Sequence, residues 1–78
     1  MKYYVVKLLT NTAGQDAPSV DVYGTIEQAK VAYHNTLATF INAEDVLYAV
    51  VMIVNEYGNV EIKEIVDHKV EPEPNEGE

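Results

Sequence analysis

Val46-Leu47-Tyr48-Ala49-Val50-Val51-Met52-Ile53-Val54 is the longest apolar run of the chain, nine residues rich in β-branched types. Glu44-Asp45 precedes it and Asn55-Glu56-Tyr57-Gly58-Asn59 follows. Nine residues are too few to span a bilayer as a helix, and turn-forming flanks around a β-branched run predict a strand. Val60 to His68 alternates at its start. A Tyr57-Gly58-Asn59 turn, with Gly58 supplying the positive φ, closes a hairpin between the two runs.

Upstream of this hairpin, Thr25-Ile26-Glu27-Gln28 reads as a capping box. The Thr25 hydroxyl accepts from the Gln28 amide, and Glu27 suits the positive end of a helix beginning at Ile26. Ile26, Ala29, Tyr33, Leu37, Phe40 and Ile41 then form one apolar stripe at helical spacing, and Asn42 is the expected stop. Four turns are enough to cross a small sheet. Further back, Met1 to Thr10 (MKYYVVKLLT) is a strand in which both alternating sets are largely apolar, Tyr4, Val6 and Leu8 against Tyr3, Val5 and Leu9. Asn11 to Ser19 (NTAGQDAPS) reads as a long, mobile loop, and Val20-Asp21-Val22 as a short second strand. No repeat is evident along the chain.

The order strand, strand, helix, strand, strand predicts an α+β domain over residues 1–70, a four-stranded antiparallel sheet with one helix on one face. Residues 71–78, EPEPNEGE, hold two prolines, a glycine and four glutamates, and are expected to form a solvated, disordered acidic tail.

One helix covers one face, yet both alternating sets of the long strands are apolar. Val46, Tyr48, Val50, Met52 and Val54 oppose Leu47, Ala49, Val51 and Ile53, and whichever set misses the helix needs another cover. Left bare together with a stripe of the first strand, such as Tyr3, Val5 and Leu9, it makes a patch larger than soluble monomers usually carry. The expectation is a homodimer or higher symmetric oligomer, face to face or edge to edge, with Tyr4, Tyr48, Val50 and Met52 at the interface. The other possibility is that the sheet curls until the helix and the long loop shield both sides.

Seventy-eight residues allow one small core, for which self-association is a natural support. The composition, 47% hydrophobic and 23% charged, is that of a folded domain. Thirteen acids against five lysines, with no arginine, give a net charge of −8, of which the four glutamates after residue 70 supply half. This balance opposes binding to a phosphate backbone. An acidic surface can, however, imitate one and occupy a basic groove on another protein. The five lysines, Lys2, Lys7, Lys30, Lys63 and Lys69, would make an anion site only if an oligomer interface gathered them. With no charged-then-apolar leader and no long apolar segment, no membrane association is expected.

The absence of cysteine removes thiolate chemistry, disulfides and sulfur metal ligands. His34 and His68, the two histidines, are not at metal-ligand spacing, so neither a metal nor a cofactor is expected. Ser19, the one serine, has no nucleophile-elbow context, Glu44-Asp45 reads as a turn, and the four glycines are scattered rather than gathered in a phosphate loop. The chain therefore reads as a non-enzyme. If a ligand or partner is bound by the helix, Lys30, Tyr33 and His34 are the candidates, against the plainer reading of them as edge packing.

Tyr23-Gly24-Thr25-Ile26-Glu27-Gln28-Ala29, Ala32-Tyr33-His34, Leu37-Ala38 and Tyr57-Gly58-Asn59-Val60 together resemble small proteins encoded by bacteriophages and prophages of gut Gram-positive bacteria. The resemblance spans roughly residues 3–68. It implies a viral or mobile-element protein at work in the host cytoplasm or the virion: an accessory or assembly protein that binds a viral or host protein, or an inhibitor of host defence. An inhibitor would sequester a small nucleotide at a subunit interface or block a nucleic-acid-binding effector. No catalytic or binding residue follows from it.

Overall fold

The computed structural model describes residues 1–68. Its elements are β1 (Tyr3–Asn11), β2 (Ser19–Tyr23), α1 (Ile26–Asn42), β3 (Val46–Asn55) and β4 (Val60–Asp67). The strands form one sheet in the order β2-β1-β3-β4, every neighbouring pair antiparallel. β2 and β3 consequently run parallel with β1 between them. Parallel strands cannot be joined by a tight turn, so α1 is the crossover, and it lies on one face of the sheet. This is the expected α+β architecture. The acidic tail foreseen over 71–78 lies outside the described residues, as does Lys69.

Local chemistry sets the helix ends. Thr25, in an extended conformation, caps the first turn by accepting the Gln28 N–H at 3.2 Å. At the other end the Ala43 N–H donates to the Phe40 carbonyl at 3.3 Å, and Asn42 Nδ2 donates to the Ala38 carbonyl at 2.8 Å, so two last-turn carbonyls are occupied. Ile26, Ala29, Tyr33, Leu37 and Phe40 meet the sheet as the periodicity requires. Ile41 does not, being 56% exposed. One residue beyond Phe40 is a rotation of about 100°, which turns Ile41 off the seam. Ala32 packs at the seam's other flank.

Beneath the helix lie Val5, Val51 and Ile53, which with Ala29 and Tyr33 form the core. A smaller cluster of Val46, Ala49 and Val66 continues it under Leu37 and Phe40. The odd-numbered residues of β1 and β3 are thus the covered set. Tyr3, Val5 and Leu9 pack against these clusters, and the bare set of β1 is Tyr4, Val6 and Leu8. Val46 also departs from expectation: a register irregularity at Thr10/Asn11 pairs Asn11 with Val46, and Val46 joins the covered cluster instead of the Tyr48 set.

The turns of the two hairpins repeat one structure. Asn11 Oδ1 accepts the N–H groups of Ala13 and Gln15, both at 2.9 Å, while Asn55 Oδ1 accepts those of Tyr57 and Asn59 at 2.9 and 3.1 Å. In both, the Asn N–H donates to the carbonyl four residues on, and its own carbonyl accepts from the glycine three residues on. Those glycines, Gly14 at φ 82° and Gly58 at φ 86°, hold a left-handed conformation that a side chain would strain. Asn-x-x-Gly is therefore a repeated local device in a chain whose sequence reads as free of repeats. It also revises the first loop. Instead of a long, mobile segment, Asn11–Gln15 is a tight turn, and the returning arm stays paired through Thr10 with Asp16 and through Ala17 N–H to the Leu9 carbonyl at 2.8 Å. A bond from Thr12 N–H to the Asp45 carbonyl at 3.0 Å ties this turn to the loop before β3.

Candidate binding surface

Residues directly opposite each other in a sheet point to the same side, so the register builds the uncovered face row by row. Across the four strands the first row is Val22, Tyr4, Val54 and Val60. Val20, Val6, Met52 and Lys63 form the second. The third is Leu8, Val50 and Ile65, and the fourth Asp16, Thr10, Tyr48 and Asp67. Three rows are almost wholly apolar, with Lys63 the one charge among them. Of the nine large hydrophobic side chains most exposed to solvent among the described residues, five stand here: Leu8, Val20, Val22, Val60 and Ile65.

The four residues read from sequence as an interface, Tyr4, Tyr48, Val50 and Met52, all fall on this face, on its two central strands. The outer rim that extends them, above all Val20, Val22 and Ile65, was not among them. Its signal was the alternation within each short strand, but the registers with β1 and β3 were needed to say which way that alternation points.

The face is not flat at its far end. The returning arm rises beside it, and Leu8, Thr10, Tyr48, Val50, Asp16 and Pro18 line a depression of about 320 Å³. The Thr10 hydroxyl donates to Asp16 Oδ1 at 2.8 Å, which satisfies the rim's polar groups locally and leaves a mainly apolar floor. At this end His68 completes the β3–β4 ladder. Its N–H donates to the Leu47 carbonyl at 2.9 Å, and its Nδ1 lies 3.0 Å from the Val46 carbonyl. A carbonyl only accepts, so Nδ1 carries the proton.

The edges of the sheet are better guarded than this face. β2 has five residues, and β4 carries Glu61, Lys63, Glu64 and Asp67 among its eight. Short and charged edge strands resist the addition of another strand.

The helix candidates separate. Lys30 and His34, one turn apart, are exposed on the same flank, whereas Tyr33 points into the core and is 1% exposed. The Tyr33 and His34 rings meet edge to face, with centroids 5.2 Å apart. Burial raises the Tyr33 phenol above its ordinary pKa, and the nearby negative charge of Glu64 adds to the effect. Tyr33 thus supplies packing, and the exposed flank retains Lys30 and His34. Lys7 and Lys63 stand on opposite faces: Lys7 is on the helix side, 2.6 Å from Asp21 Oδ2, while Lys63 is on the open face. Among the described residues no three His, Asp or Glu side chains come together as metal ligands, and no helix is long and apolar enough to cross a membrane.

Compared with protein-family models, curated proteins and solved structures, the chain matches none.

Proposed function

We propose that this chain is a non-enzymatic binding module that self-associates through its open sheet face and acts, as an oligomer, by engaging another protein. The observation that carries the reading is the apolar continuity of that face across all four strands. A surface of this kind, standing beside guarded edges, belongs to an interface more than to a solvated exterior. The resemblance noted above supports a phage accessory role, in the virion or its assembly. The test is solution mass by light scattering across a range of concentrations, for the full chain and for Val50→Lys. A dimer or larger species that Val50→Lys dissociates without loss of the circular-dichroism spectrum supports the reading. A monomer at every concentration overturns it.

A second reading draws on the exposed Lys30–His34 pair and the net charge of −8: an anti-defence protein that holds a nucleotide signal at a subunit interface or blocks a nucleic-acid-binding effector. With Tyr33 in the core, this flank lacks the stacking ring that such a nucleotide site would use. A thermal shift with cyclic or ADP-ribose-like nucleotides, abolished by His34→Ala, would favour it over the first.

A further inference from the structure

We infer that the open face pairs with the same face of a second copy about a two-fold axis running across the strands along the Leu8–Val50–Ile65 row. This rests on the self-association proposed above and specifies its geometry. Three features of the face are self-complementary about that row.

The first is charge. Lys63 and Asp67 stand on the same side of β4, one row to either side of Ile65, paired in register with Met52 and Tyr48. A rotation of half a turn about the Ile65 row places Lys63 of each copy over Asp67 of the other, giving two symmetric ion pairs. Stacked sheets lie about 10 Å apart, a gap that a lysine and an aspartate reaching from opposite sides span together. An axis along the strands would instead set Lys63 against Val20, an apolar partner that leaves the ammonium unpaired.

The second is shape. The same rotation carries the Val6–Met52 row of one copy over the Thr10–Tyr48 row of the other. The depression of about 320 Å³ lies on that second row and faces two side chains able to fill it. Each copy offers both the filler and the hollow, as an isologous interface demands.

The third is area. About this axis the second, third and fourth rows overlap, so four strands about 4.8 Å apart, each contributing about five residues at 3.3 Å, give a footprint of roughly 320 Å² per copy. With side-chain relief included, two such faces bury about 850 Å², in the range of weak, transient interfaces. An interface of this size forms with a concentration-dependent equilibrium and needs its charges correctly placed.

The experiment is a charge swap on the full chain, read by sedimentation equilibrium, with circular dichroism confirming the fold of each variant. Lys63→Asp and Asp67→Lys each convert both ion pairs to like-charge contacts and are expected to weaken dimerisation about 10- to 100-fold. The double variant, Lys63→Asp with Asp67→Lys, is expected to return to within a few-fold of the native constant. Along one strand the two positions are about 13 Å apart, so such rescue reports a contact between copies and not one within a chain. A native dimer that neither single variant weakens, or single losses that the double variant does not repair, overturns this axis while leaving self-association in place. A native chain that stays monomeric removes both.

Discussion

The two faces of this sheet are built from the same residue types and end in opposite environments. On one side Ala49, Val51 and Ile53 are fully buried beneath α1, while on the other Val50 and Met52, their immediate neighbours in sequence, are only partly shielded. The difference is not one of hydrophobicity. It comes from a single crossover helix, which can lie on only one side of four strands, so that half of an equally apolar surface has no helix over it among the described residues. The edges teach the complementary lesson, since shortness and a run of charges stand where a strand might be added, while the three apolar rows of the open face hold Lys63 as their one charge.

The sharpest way to break this contrast is to truncate one large side chain under the helix and one on the open face. Tyr33→Ala removes a fully buried ring and is expected to cost about 3–5 kcal/mol, enough to unfold much of so small a domain. Val50→Ala, measured by urea denaturation at a concentration where both chains are monomeric, is expected to cost about 1 kcal/mol or less. Equal losses would mean that the open face is structural within the single chain, and the contrast would fail.

Two turns with one hydrogen-bond pattern sharpen it next. Asn55 is 8% exposed and its Nδ2 also donates to Glu61 at 2.9 Å, whereas Asn11, with the same Oδ1 contacts, is more open to water. Replacing Asn55 by Ala leaves two turn amides without their acceptor in a part-buried site, at an expected cost of about 1–3 kcal/mol in thermal or chemical denaturation. Asn11→Ala should cost less, because water replaces the lost acceptor. A larger loss at Asn11 would show that the first turn, which holds the arm beside the open face, bears more of the fold than its exposure suggests.

The smallest effect expected is a pH dependence. Burial and the Glu64 charge hold the Tyr33 phenol above its ordinary value of 10.0 in the folded chain. The protonated form is favoured by folding, so this contribution is complete below pH 10 and is lost as pH rises through the unfolded value toward the folded one. Tyr33→Phe should flatten that alkaline decline while leaving stability near neutral pH little changed. A decline as steep in Tyr33→Phe as in the native chain would show that the buried phenol is not its source.

Much of the architecture was legible residue by residue. The Thr25 cap and the Asn42 stop bound the helix because capping is local chemistry, and Gly58 marked the second hairpin because few residues take its φ. The Asn-x-x-Gly device went unread, although it is in the sequence twice, because its hydrogen bonds become visible only when both turns are seen closed. Ile41 and Val46 were assigned to the wrong surroundings for a shared reason: periodicity gives the phase of an element but not where a seam ends or where a bulge reverses the alternation.

What the sequence determined by itself is that one apolar face would be in excess, since the alternation of β1 and β3 is apolar in both phases and one stretch of the sequence reads as a helix to cover them. Only the tertiary structure decided which face that is. The choice depends on register, and shifting a strand by a single residue would exchange the two sets without altering the composition of either. Lys63 and Asp67 stand two residues to either side of Ile65 in the sequence itself, and what register adds is that Ile65 lies in one row with Val50 and Leu8 on the open side.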